Sequence, residues 1–179
     1  WDGSYADVVD RACLLRDARG RVVRAVGGLV DVTEKRRDQA NLRLLQRAVE
    51  VSDNGIVIAD ARHPDHAVVY VNPAFEQITG YPAVEILGRN CRVLQGRDPD
   101  QAGVRTIRDA LKSEREARVV LRNYRRDGQL FWNELRLNPV RDDTGTLTHF
   151  VGVICDVTER QRYEEQLAVI TGLWETPEG

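Results

Sequence analysis

One stretch of this chain occurs twice. Residues 16–34 read RDARGRVVRAVGGLVDVTE and residues 141–159 read RDDTGTLTHFVGVICDVTE, an ungapped correspondence at an offset of 125. The offset carries back to Asp2-Gly3 against Asp127-Gly128 and to Arg11 against Arg136. In each copy a polar turn, Arg16-Asp17 to Gly20 or Arg141-Asp142 to Gly145, joins two strand-like runs, the pattern of a β-hairpin. Each copy ends in Asp-Val-Thr-Glu, a strand running into a capped helix. A fixed-offset repeat means one supersecondary unit built twice. Residues 1–34 therefore read as the C-terminal hairpin of an upstream domain, a fragment of something longer, and the rest shows such a domain whole.

Between the copies, residues 35–51 place Leu42, Leu45 and Val49 at helical spacing among charged and polar residues, predicting an amphipathic linker helix. After the second copy, residues 157–179 form a C-terminal helix and tail, with Tyr163, Leu167 and Ile170 spaced the same way. Either helix can pack on its own domain or form the seam of a parallel dimer.

The complete domain spans residues 52–156. Ile56–Ala59 and Ala67–Val71 predict two short strands around a turn containing Pro64. Asn72-Pro73 is an N-cap followed by proline at the first helical position, and Gly80 and Gly88 punctuate short helices. Asp100 to Leu111 predicts a longer helix, and three strands follow at about 116–126, 129–141 and 146–156. The order β-β, helices, β-β-β predicts an α+β fold: a five-stranded antiparallel sheet with helices on one face, flanked by N- and C-terminal amphipathic helices.

Within that pattern, polar residues occupy positions that ask for apolar ones. Val104, Ile107 and Leu111 make the expected buried stripe of the long helix, and Arg108 falls four residues after Val104 on the same face. A buried guanidinium needs an anion. Alternation puts Asn123 on a face with Val119 and Leu121, and Asn133 with Phe131, Leu135 and Leu137. The turn at Arg126–Gly128 brings the two amides close to opposite each other. Each would cost about 1–3 kcal/mol if left unpaired in a core. The two asparagines can bond each other or a buried water, and Arg108 a carboxylate. Together the three also describe a planar ligand with an amide-like edge at one end and an anion at the other, as in a flavin phosphate.

Composition removes several classes of function. With 26 Lys and Arg against 28 Asp and Glu, the net charge of −2 gives no reason to expect a nucleic-acid partner. No apolar run approaches the roughly 20 residues that cross a bilayer, so no membrane partner is expected. Three widely spaced cysteines, Cys13, Cys91 and Cys155, suggest neither a disulfide framework nor a metal site and point to a reducing cytoplasm. A thiol enzyme would need a base, and His63, His66 and His149 stand in no recognisable triad context.

The segment GRNCRVLQG at 88–96 resembles the signature around the photoactive cysteine of the LOV (light-oxygen-voltage) family of blue-light receptors, a branch of the PAS domains. The likeness extends through NPAFEQITGY (72–81), VRTIRDAL (104–111), NYRRDGQLFWNELRLNPVRD (123–142) and FVGV (150–153), covering residues 50 to 160 or so. The resemblance implies an FMN cofactor and reversible bonding of Cys91 to flavin carbon C4a after illumination. It further implies that Asn90 and Gln95 hold the ring, Arg92 and Arg108 the phosphate, and Asn123 and Asn133 the pyrimidine edge. Val57, Leu94, Val104, Ile107, Leu111, Leu135, Leu137, Phe150 and Gly152 would form the apolar walls. The first copy lacks the amide, since the counterpart of Asn133 is Val8.

Two positions depart from the family pattern. Most members carry a glutamine near flavin N5 where this chain has Ile154, an inward-facing residue that can neither donate nor accept a hydrogen bond. The signal is then expected to leave through Asn133 or a water near N5. His66 stands where plant members often have asparagine. The expected function is a photosensory module, not an enzyme, dimerising through its flanking helices and signalling to an effector outside this chain. The alternatives are a flavin-binding PAS redox sensor without the photochemical bond, a thiol enzyme, and a dimerising adaptor without cofactor.

Overall fold

The computed structural model describes residues 5–172; Asp2-Gly3 and the Ile170 side chain lie outside the described residues. The chain divides between Ala48 and Val49 into two units.

In the first unit, β1 (Val8–Arg16) pairs antiparallel with β2 (Val22–Asp31), and α1 (Thr33–Glu50) follows. The repeat seen in the sequence is repeated bond for bond. Asp17 Oδ1 accepts from the amides of Arg19 and Arg21 at 2.9 and 3.0 Å, and Asp142 Oδ1 accepts from Thr144 and Thr146 at 2.9 and 3.0 Å. Both turns close on a left-handed glycine, Gly20 at φ +76° and Gly145 at φ +82°, a conformation glycine adopts without steric cost. At the other end, the Asp7 amide donates to Thr33 Oγ1 at 2.8 Å as the Trp132 amide donates to Thr158 Oγ1 at 2.9 Å. Val8 and Leu14 on β1 and Val22, Val26 and Leu29 on β2 are exposed.

The second unit contains β3 (Gly55–Asp60), β4 (Val68–Val71), α2 (Pro73–Thr79), α3 (Ala83–Ile86), a 3-10 turn at Cys91–Gln95, α4 (Ala102–Lys112), β5 (Ala117–Tyr124), β6 (Leu130–Arg141), β7 (Leu147–Asp156) and α5 (Thr158–Gly172). The five strands form an antiparallel sheet in the order β4-β3-β7-β6-β5, the α+β arrangement read from the sequence. β5 stops at Tyr124 because the turn starts early: the Arg125 amide donates to Gln129 O at 2.8 Å and Gly128 to Arg125 O at 2.9 Å.

Alternation along the strands sends Val57, Leu121, Phe131, Leu137, Phe150 and Ile154 into the core, where α2, α3 and the 3-10 turn contribute Phe75, Ile86 and Leu94. Asn72, fully buried, ties this layer to the sheet. Its Oδ1 accepts from the amides of Phe75 (3.0 Å) and Ile56 (2.7 Å), capping α2, while its Nδ2 donates to the carbonyls of Val49 and Asn54, both at 3.0 Å.

α4 corrects one expectation. Its buried side runs through Val104, Ile107, Ala110 and Leu111, and Arg108 is exposed rather than buried on the stripe. At about 100° per residue, an arc centred on Ile107 leaves the next residue at its edge, from which a long side chain reaches water.

Candidate functional site

The helical layer and the sheet enclose a cavity of about 130 Å³. That is comparable with the roughly 150 Å³ engineered cavity that takes up benzene, and far more than one water needs. Its sheet wall comprises Val57 and Ala59 from β3, Leu121 and Asn123 from β5, Asn133, Leu135 and Leu137 from β6, and Phe150, Gly152 and Ile154 from β7. The opposite side comprises Asn90, Cys91, Arg92, Leu94 and Gln95 from the 3-10 turn and its cap, Ile107 and Leu111 from α4, and His66 from the β3–β4 connection.

Thus fifteen of the seventeen residues singled out in the sequence line one space. Two do not. Val104 is buried but does not line the cavity, and Arg108 lies on the exposed side of α4. Ala59, Leu121 and His66 were not among the candidates. Alternation from Val57 and Asn123 could have found the first two.

The two amides behave as neither expectation alone describes. Asn133 Nδ2 donates to Asn123 Oδ1 at 2.8 Å, and Asn123 Nδ2 donates to the Arg122 carbonyl at 3.0 Å. They lie diagonally across β5 and β6, since Asn123 is in register with Phe131 and Asn133 with Leu121. Their mutual bond leaves Asn133 Oδ1 buried without a partner. An acceptor in that state is worth a donor from something in the cavity.

Gly152 keeps the floor flat. A Cβ there would lie 2.9 Å from Val57 Cγ1 and 3.5 Å from Leu135 Cδ1. The cavity is therefore a mostly apolar space with one orphaned buried acceptor on its wall. These features fit a planar heterocycle carrying an N–H at its polar edge.

Cys91 opens the 3-10 turn. Asn90 caps the turn, its Oδ1 accepting from the Arg92 amide at 2.8 Å, and its Nδ2 donates to the Asp65 carbonyl. Arg92 forms an ion pair with Asp65, so the cation at the cavity rim is shared with an acidic neighbour. The turn is stitched to β4 through Val68 N to Arg89 O and Gly88 N to Val68 O, each 2.8 Å. Burial pushes the Cys91 thiol up to about 12, with no charged partner to offset it. Cys91 is part of the cavity lining. The thiol is neutral and keeps its proton. No group of three or more metal-ligating side chains occurs among the described residues.

Comparison with known proteins gives a consistent set. The PAS domain family matches residues 53–159. A blue-light-activated histidine kinase of Rhizobium johnstonii is 41% identical over 138 residues, covering 77% of this chain and 40% of that protein. A blue-light photoreceptor of Listeria monocytogenes is 42% identical over 124 residues, covering 69% of this chain and 49% of that protein. The bacterioopsin transcriptional activator of Halobacterium salinarum is 40% identical over 129 residues, 72% of this chain and 19% of that protein. The chain thus spans less than half the length of each of these relatives. Among solved structures, an RNA-binding light-oxygen-voltage receptor superposes with a TM-score of 0.70 at 35% identity, covering 94% of this chain and 44% of that one. The LOV domain of an Erythrobacter litoralis blue-light activated histidine kinase gives 0.56 at 39% identity, covering 59% of this chain and 96% of that one.

Proposed function

Since the chain belongs to the PAS domains, and within them to the LOV branch that senses blue light, we propose that its cavity binds FMN and that Cys91 bonds reversibly to it. The observation that carries this reading is the placement of a neutral thiol in the same slot as the unpartnered Asn133 Oδ1. Asn133 and Asn123 hold the pyrimidine edge, Asn90 and Gln95 the rest of the polar periphery, and the apolar walls exclude water. Arg92 meets the phosphate at the rim. An exposed Arg108 suits a solvated phosphate as well as a buried one would.

Bound FMN would supply a photoexcitable ring with an electrophilic carbon, C4a, next to N5. Cys91 supplies both halves of what adds to it. Held in this slot, Cys91 would offer the ring its sulfur and its own proton together, and would take both back in darkness. No base is needed because the thiol arrives with its own proton.

The chain's flanking helices are proposed as the output. Leu42 and Leu45 on α1 and Tyr163 on α5 are exposed, which favours a dimer seam over packing on their own units. The hairpin of β1 and β2 is read as the end of an upstream PAS domain. We place the effector outside this chain and the setting in the cytoplasm. No helix among the described residues is long and apolar enough to cross a membrane. RNA binding is a property of one structural neighbour, of which this chain covers less than half.

The test is an absorption spectrum before and after blue light. The wild type should show a flavin band that bleaches and recovers in darkness, and Cys91→Ala should keep the band without bleaching. A flavin band that never bleaches would leave a redox sensor, and a colourless protein after flavin is supplied would end the reading.

A further inference from the structure

Among the described residues two buried side-chain polar atoms have no hydrogen-bond partner, and both belong to residues lining this cavity: Asn133 Oδ1 and His66 Nδ1. The first is accounted for above. We propose that His66 is a further ligand-contacting residue, its Nδ1 hydrogen-bonding a polar group of the bound flavin at the end of the slot remote from Asn133. The proposal rests on the flavin reading and extends it.

The placement of His66 is built rather than incidental. The β3–β4 connection turns at Asp60–Ala67, where the His66 amide donates to His63 O at 2.9 Å and the Asp60 amide to Ala67 O at 2.9 Å. His66 itself has φ +48°, the left-handed region that non-glycine residues seldom enter. That conformation sets the imidazole on Phe150, ring centroids 5.6 Å apart and planes inclined 27°. A strained backbone and an unsatisfied buried nitrogen both oppose folding. Both are tolerated where a ligand supplies the missing bond.

The two orphan atoms sit at opposite ends. Asn133 is in register with Asp156 on β7, whereas His66 stacks on Phe150, six residues back along the same strand. Six residues of antiparallel strand span about 20 Å. One edge of one heterocycle therefore does not serve both. Between them lie Leu135, Leu137, Gly152 and Ile154, which offer no side-chain polar group. The group that meets His66 is a hydroxyl or phosphate oxygen of the flavin side chain, since the ring edge opposite the pyrimidine is an apolar dimethylbenzene.

Two variants and three flavins separate these cases. His66→Phe keeps a ring over Phe150 and removes the nitrogen. His66→Asn keeps a hydrogen-bonding group that tolerates the left-handed backbone. Protein stripped of flavin, with its fold verified by circular dichroism, is titrated with FMN, riboflavin and lumiflavin by fluorescence quenching. His66→Phe should bind FMN about tenfold more weakly, the worth of one hydrogen bond to a buried group, and His66→Asn should recover part of the loss. The flavin-free His66→Phe protein should melt no lower than wild type, since the orphan is gone. A purely structural histidine would lower the melting point and spare affinity. Loss for FMN and riboflavin but not lumiflavin assigns the contact to a side-chain hydroxyl, and loss for FMN alone to the phosphate; equal loss for all three overturns it. A second readout needs no variant: in ¹⁵N-histidine-labelled protein, the His66 Nδ1 resonance should move on adding riboflavin. Wild-type affinity of His66→Phe for all three flavins with an unmoved resonance overturns the proposal. A wild type that binds none of them overturns the flavin reading instead.

Discussion

The neutrality of Cys91 can be measured directly. Its thiol is pushed by burial from an ordinary value of 9.0 to about 12. At pH 8 an ordinary thiol is about one-tenth ionised, and one held at about 12 is ionised roughly one part in ten thousand. Because the thiolate is the nucleophile, alkylation of Cys91 by iodoacetamide in the dark should run on the order of a thousandfold slower than that of N-acetylcysteine. Peptide mapping by mass spectrometry separates it from Cys13, which is exposed, and from Cys155. The rate should climb about tenfold per pH unit well past pH 10. The sign of the linked stability effect follows. A thiol whose folded value is raised leaves stability intact below the unfolded value near 9 and removes it progressively as pH rises from there through about 12. Cys91→Ala should abolish that alkaline loss. Labelling of Cys91 within tenfold of N-acetylcysteine at pH 8 would refute the reasoning. The protein would then hold a reactive thiolate, and a thiol enzyme would return as a reading.

Asn133→Leu removes an orphaned oxygen and strands Asn123 Oδ1, two effects of about 1–3 kcal/mol each and opposite sign, so denaturant stability without flavin should change little while flavin affinity falls roughly ten- to a hundredfold. In Asn133→Ala the light-minus-dark infrared change attributed to the sheet should shrink; an undiminished response counts against an Asn133 route. Gly152→Ala puts a Cβ 2.9 Å from Val57 Cγ1, the movable end of a side chain, so the protein should fold with a loss of about 1–3 kcal/mol and bind flavin more weakly, checked by urea melts and titration. Asn72→Ala deletes the α2 cap and leaves the Ile56 amide unserved in the core, a loss of about 2–4 kcal/mol in the same melts.

Period-two alternation made most of the site legible, because a strand that packs on a core shows its inward residues in the sequence whatever they bind. Asn123 and Asn133 stood out for that reason. Their diagonal offset was not visible, since it depends on the turn occupying Arg125–Gly128. Arg108 was misplaced because helical spacing locates an arc without locating its edge, and a side chain at the edge follows its charge to water. Val104 lies in the interior as its spacing indicates, but it does not line the cavity. His66 had no periodic signal at all. Its inward aim comes from one left-handed residue in a loop, and its contact with Phe150 joins positions 84 residues apart. The Asp65–Arg92 pair is equally non-local.

Replacing the usual glutamine by Ile154 removes one polar lever from β7 and leaves another on β6. Asn133 is directly opposite Asp156 in the β6–β7 register. Asp156 Oδ1 accepts from the Thr158 amide at 2.9 Å and from its hydroxyl at 2.5 Å, fixing the first residue of α5, and Oδ2 pairs with Arg125 at 2.6 Å. The residues on either side of Asn133 grip the same helix start: Trp132 bonds Thr158 Oγ1 and Val157, at 2.9 and 2.8 Å, and Glu134 holds Arg160 at 3.1 Å. Three consecutive positions of one strand thus contact the cavity on one face and the root of α5 on the other. We propose that a rearrangement at the Asn133 amide reaches backbone that α5 is bonded to. On that proposal an amide at position 154 is not required for the message to leave, and Asn133→Ala, not the residue at 154, is the substitution that should uncouple α5.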